Sequence, residues 1–288
     1  MTKTDSLSAS AEHKPGAIEE SWEIVKTIVY ALLIAFVIRT VLFQPYTIPS
    51  ASEEPNLYQG DYIIVSKWSY GYSRHSILFS PPLFKGRLFF HAPTRGDTIV
   101  FKLPSSGHID YIKRLIGMPG DRVQMRGGQL YINDKPIIEH QVGLTMKHDL
   151  GEDFREGDPQ PVAIVRETNP EGRSYLTEVH SRQGPQNNTG VYVVPAHCYF
   201  MMGDNRDNSL DSRFDSGLSP EDPKLGGCGW DSHLDEELGG QAGVGFVPEE
   251  NLVGRAQIVM VSWKENASLF KPWTWLDLNW DRFFHLIK

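Results

Sequence analysis

From Ile24 to Phe43 the chain runs IVKTIVYALLIAFVIRTVLF, an apolar stretch set between a polar N-terminus and a body of short alternating segments. As a helix of about 1.5 Å rise per residue it would span roughly 30 Å, one hydrocarbon thickness. Lys26 and Arg39 interrupt it and leave only Thr27 to Ile38 free of charge, a length that would suit a core helix or the apolar part of a signal peptide. Both charges lie near the ends, however, where long basic side chains snorkel to the headgroups. Residues 1–23 are largely polar, which fits a cleaved signal peptide poorly. The pattern predicts an N-terminal transmembrane helix at 24–43 behind a tail at 1–23. Lys3, Lys14 and Lys26, counted without the acids among them, put that tail on the cytoplasmic side.

Beyond the anchor the periodicity changes from helical to two-residue. DYIIVSKWSY, GDTIVFKL, DYIKRLIG, DRVQMRGGQLYIN, GVYVVPAHCYFMMGD and NLVGRAQIVMVSW are β-branched or aromatic and bounded by Gly, Pro, Asn and Asp. Two hairpin turns are expected in succession, at Gly127-Gly128 and at Asn133-Asp134. Strands do not alternate with long helices, so a mainly β, antiparallel fold is predicted rather than a parallel α/β sheet. The polar, turn-rich stretch 124–195 reads as an inserted second β domain. It divides a core at 44–123 and 196–263, and an aromatic tail follows at 264–288. In that tail Phe270, Trp273, Trp275, Trp280, Phe283 and Phe284 lie close together, as a buried terminal element or, preferably beside an anchor, as rings at a bilayer interface.

Charge refines the picture. The formal net charge is −8, and no basic stripe occurs, which argues against nucleic acid as a partner. Most of the excess sits at 215–243, where seven acidic residues meet one lysine, so the acidity belongs to a surface loop. The two cysteines, Cys198 and Cys228, have no metal-binding spacing; they form one disulfide in an oxidising compartment or stay free. No metal and no organic cofactor is implied.

Four stretches carry candidate chemistry: IPSASEEPNLYQGD, HIDYIKRLIGMPGD, MMGDNRDNSLDSR and VGFVPEENLVGRA. Lys113 lies mid-strand among apolar residues. On an edge it would reach solvent. Buried, it would lose its proton more readily and could serve a serine as general base in place of histidine. The alternating Asn205, Asp207, Ser209 and Asp211 suggest a calcium loop. The turn glycine and the twelfth-position glutamate are missing, so a polar turn network with Asp211 and Arg213 paired is the better reading.

Taken in order after an N-terminal anchor, IPSASxxPNLxxGDYIIVSK, GDTIVFK, DYIKRLIGMPGD, GDNRDNSLDSR and GFVPEENLVGRA resemble bacterial type I signal peptidase, the leader peptidase family of Ser/Lys-dyad serine proteases. The resemblance covers most of Gln44 to Trp263 and implies Ser52 as nucleophile and Lys113 as general base. Ser50 and the backbone N–H of Ser52 would form the oxyanion hole. Ser209 would orient the lysine amine, and Asp211 with Arg213 would form a supporting ion pair. It further implies a catalytic antiparallel β core beside a second β domain, and preprotein signal peptides and membrane lipid as partners. The setting would be the bacterial cytoplasmic (inner) membrane, crossed once, with the catalytic domain on the extracytoplasmic side. Ser52 lies nine positions after Phe43, at most about 30 Å of extended chain, so the nucleophile would be tethered near the bilayer.

The chain departs from the family pattern at Glu53, where methionine is characteristic, and more mildly at Asn56, in place of threonine. A carboxylate beside the dyad favours the protonated lysine, so Glu53 is expected to lower activity relative to methionine. A catalytically silent binding protein on the same fold is the alternative. A soluble self-cleaving repressor with a Ser/Lys dyad is disfavoured by the anchor and by the absence of a basic DNA-binding helix.

Overall fold

The computed structural model describes residues 17–147, 159–229, 242–264 and 272–287. The first sixteen residues of the tail, the polar turn at 148–158, the acidic Asp231, Asp235, Glu236 and Glu237, and Phe270 fall outside them. The chain divides into two units, Met1–Arg39 and Thr40–Lys288. In the first, α1 (Ala17–Val37) opens a span from Glu20 to Leu42 with a mean hydropathy of 2.1, long and apolar enough to cross a membrane. Its apolar side chains, Tyr30, Leu32 and Ile34 among them, are exposed.

The second unit is built of short strands. In chain order they are β1 (Phe43–Thr47), β2 (Asp61–Ser66), β3 (Thr98–Lys102), β4 (Asp110–Gly117), β5 (Arg122–Arg126), β6 (Gln129–Ile132), β7 (Lys135–Pro136) and β8 (Ile138–Lys147). Then come β9 (Gln160–Thr168), β10 (Ser174–Val179), β11 (Tyr192–Val193), β12 (Cys198–Met202), β13 (Val247–Pro248), β14 (Leu252–Ser262) and β15 (His285–Leu286). The main sheet has the order β1-β2-β14-β3-β4-β12-β13, with β15 on β14 where β3 has ended. Two smaller sheets, β11-β5-β6-β7 and β10-β9-β8, come from the stretch expected to be inserted. All the ladders are antiparallel.

Sequence and position agree closely. β1 carries Pro45 and alternates in exposure, as an edge strand tolerates a residue with no N–H to give. The inner strand β12, CYFMM, is buried at every position, so both its faces are covered. The expected strand GVYVVPAHCYFMMGD is two, β11 and β12, because Pro195 cannot continue a ladder. Likewise DYIIVSKWSY ends as a strand at Ser66 and turns at Trp68–Tyr70. Both hairpin turns form as expected, with left-handed φ at Gly127, Gly128, Asn133 and Asp134. The β11-β5-β6 face (Tyr192, Val123, Met125, Leu130, Ile132) shares one apolar cluster with Phe200 and Met202 of β12.

Three tethers fix the long connections. Arg87, on the excursion between β2 and β3, donates to the carbonyl oxygens of Tyr70, Gly71, Glu249, Glu250 and Leu252. Cys198 and Cys228 are disulfide-bonded, with Cα atoms 5.7 Å apart, and so join the near end of the acidic loop to β12. The tail is docked at its C-terminal end, by Arg282 on Asp61 and by β15 on β14, with Ile287 buried. Its aromatic rings face outward all the same: Trp273 is 75% and Trp280 69% exposed.

Candidate active site

Ser50 is extended (φ −139°, ψ 160°) and leads into a single helical turn, Ala51–Glu53, that points the next side chains in different directions. Ser52 is half-buried and Glu53 fully buried. Lys113 comes from β4, which lies inside the sheet between β3 and β12, opposite the buried Ile99. The solvent-facing edge lysine is thus excluded: Lys113 is 3% exposed. Its Nζ lies 2.6 Å from Ser52 Oγ and 2.9 Å from the Ile112 carbonyl oxygen. Ser50 Oγ is 3.3 Å from Ser52 Oγ on the solvent side. An accessible hydroxyl therefore touches a dry amine, the combination a serine nucleophile with a lysine base requires.

The turn after β12 holds this arrangement from below. Asn205 N donates to the Ser52 carbonyl oxygen at 3.1 Å, and Asn205 Nδ2 to that of Ala51. Asp211 accepts from the Gly203 and Arg213 amides and from two nitrogens of the Arg213 guanidinium. Burial pushes the Asp211 carboxyl up, but Arg213 and the two amides outweigh it and hold the group below its ordinary value. The local Asp211–Arg213 pair read from the sequence is thus formed. Ser209 Oγ is buried and has no hydrogen-bond partner among the described residues, so it does not bond to Lys113 here.

Other site residues escaped the sequence. Arg114, fully buried, grips Asp204 through two nitrogens at 2.6 and 2.7 Å and lies over the Tyr175 ring; Asn56 donates to the same carboxylate. Lys147 bridges Glu54, next to the nucleophile turn, and Glu178. Arg114 had a local signal, since it follows Lys113 in an apolar strand and must itself be met by a charge. The Lys147 bridge had none, because its partners lie 93 and 31 residues away. Glu53 points inward, with Oε1 3.6 Å from Lys113 Nζ. Burial above all, and then Asp204, push its carboxyl well above the ordinary range, against the pull of Lys113 and Arg114.

Known proteins resemble this chain in sequence. The family described as "Signal peptidase, peptidase S26" matches residues 21–263. A signal peptidase I of Rickettsia typhi is 37% identical over 243 residues, 82% of this chain and 78% of its own. One of Rickettsia massiliae is 35% identical over 267 residues, 85% of each chain. A crystal structure of a signal peptidase I from Enterococcus faecalis V583 aligns at 23% identity with a TM-score of 0.27, over 57% of this chain and 97% of that one. Matched along most of its length by that family and by relatives above one-third identity, the chain belongs to the signal peptidase, peptidase S26, family of serine endopeptidases.

Proposed function

We propose that this protein is a membrane-anchored endopeptidase that removes signal peptides from exported preproteins, with Ser52 as nucleophile and Lys113 as general base. The contact of 2.6 Å between Lys113 Nζ and Ser52 Oγ carries the proposal. With the amine neutral, the hydroxyl donates to it and loses its proton to it as the oxygen attacks the scissile carbonyl. The resulting ammonium protonates the leaving amine, and an acyl-enzyme remains. A water then attacks the ester, the amine takes its proton and returns it to Ser52 Oγ as the ester bond breaks and the acid leaves. The backbone N–H of Ser52 and the Ser50 hydroxyl receive the developing oxyanion. Asp211 and Arg213 serve by fixing the Gly203 turn, and Ser209 by filling the space beside it.

Membrane anchoring draws support from the apolar span Glu20–Leu42. Contact of the β unit with lipid draws support from Phe79, Leu83, Phe89, Trp273, Leu276 and Trp280, all more than two-thirds exposed. The Cys198–Cys228 bond suits the oxidising, extracytoplasmic side of a bacterial cytoplasmic membrane. The test is cleavage of a preprotein with small residues before the scissile bond (Ala-x-Ala), using the full chain in detergent. Cleavage at that site, abolished by Ser52→Ala and by Lys113→Ala and falling at acid pH, is expected. Cleavage that survives Ser52→Ala would overturn the assignment of the nucleophile.

A further inference from the structure

Charges buried around the nucleophile turn are paired almost completely. Arg114 takes Asp204, Arg213 takes Asp211 and Arg206 takes Glu167, each within 2.9 Å. Two groups are left over, Glu53 on the turn and Lys113 on β4. Each is nearly inaccessible, at 0% and 3% exposed, and 3.6 Å separates Oε1 from Nζ. Neither oxygen of Glu53 has a hydrogen-bond partner among the described residues. The charged groups facing this carboxyl are Lys113 and Arg114 from β4 and Asp204 and Asp211 from the turn after β12. With Arg114 gripped by Asp204 and Asp211 by Arg213, Lys113 is the cation left to answer it. Lys113 meets, besides Glu53, the Ser52 hydroxyl, the Ile112 carbonyl and the distant Tyr111 ring.

We propose that Glu53 is a positioning residue for a proton: it forms with Lys113 a buried acid–base pair that titrates as one unit and sets when the lysine is free to act as base. The inference rests on the Ser52/Lys113 reading above and adds to it. Holding one proton, the pair has two forms. In one, a carboxylate faces an ammonium, which cannot accept the Ser52 proton. In the other, the proton sits on the Glu53 carboxyl, leaving a neutral carboxyl and a neutral amine. The net charge of the pair is the same in both forms. The competent form is the second; burial of the carboxyl works toward it, and the attraction of Lys113 and Arg114 for the carboxylate works against it. The carboxylate form opposes it, so Glu53 restrains the base and broadens the pH response over two coupled protonations.

The pH dependence of kcat/KM for the full chain in detergent, against Glu53→Gln and Glu53→Met, tests this. Removing the carboxylate leaves an ammonium buried without a counter-charge, which loses its proton more readily. The acid limb is expected to move at least one pH unit lower in both variants, with activity one unit below the original midpoint rising about fivefold or more. Glutamine matches glutamate in shape, so a purely structural role would lower or raise the whole profile without moving its midpoint. A midpoint unchanged in Glu53→Gln would overturn the proposal. Ser52→Ala in each background separates the two readings. Cleavage surviving that change refutes the dyad itself, whereas cleavage lost there beside an unmoved Glu53→Gln profile refutes only the role of Glu53.

Discussion

Replacing Arg114 by methionine removes a fully buried guanidinium that makes two bonds to Asp204 and one of 2.7 Å to the Gly96 carbonyl. Methionine keeps much of the side-chain length, so packing against Tyr175 is lost only in part. The Asp204 carboxylate stays behind, 1% exposed, with Asn56 Nδ2 as its remaining side-chain donor. Breaking a buried ion pair from one side costs about 3–5 kcal/mol, because the surviving ion is uncompensated. At about 2–4 °C per kcal/mol for a unit of this size, the melting temperature should fall by roughly 6–20 °C. Denaturant and thermal unfolding of the full chain in detergent would measure it. Arg114→Met combined with Asp204→Leu removes both charges and should cost less than the sum of the single changes, by about 2 kcal/mol or more. The turn that carries Asp204 also presents Asn205 N to the Ser52 carbonyl, so kcat of Arg114→Met should drop as well. A loss below about 1 kcal/mol in the single variant, or strict additivity in the double, would refute the claim that this pair holds the nucleophile turn.

Gly203→Ala would drive its Cβ into Ser209 Oγ and to 2.5 Å from the Ser52 carbonyl oxygen; kcat should fall at least tenfold, and a near-normal rate would contradict the geometry. Burial pushes His75 down to about 4, and its Nε2 accepts from Arg74, so the fold holds it neutral. The unfolded chain takes up that proton near pH 6.5, so stability should decline as pH falls from about 6.5 to about 4. His75→Gln should flatten that slope, as unfolding at several pH values would reveal. Reduction of Cys198–Cys228, which are 30 residues apart, should lower stability by about 3–4 kcal/mol by loop entropy, measured with and without reductant.

Much of this protein was legible without coordinates wherever the physics is local. The span at 24–43 was read from an apolar run charged only near its ends, and α1 runs to Val37 with the apolar stretch reaching Leu42. Both hairpins after β5 were written in Gly-Gly and Asn-Asp, which accept left-handed backbone. The Asp211–Arg213 pair lies two residues apart and needed no long-range fold to be read. Other features depend on which strands become neighbours. Lys113 reads as an edge lysine until β12 covers β4 on one side and β3 on the other. The charged partners of Arg114, Lys147 and Arg282 lie between 31 and 221 residues away, and no periodicity carries such distances. The direction of Glu53 was likewise open, since one turn of chain aims a side chain at water or at the core with equal ease. The sequence by itself therefore determined the apolar span, the strand-rich body and the residue types at the candidate site. The tertiary structure alone decided that Lys113 and Glu53 would be shut away together, because burial is a property of what packs over a residue and not of the residue itself.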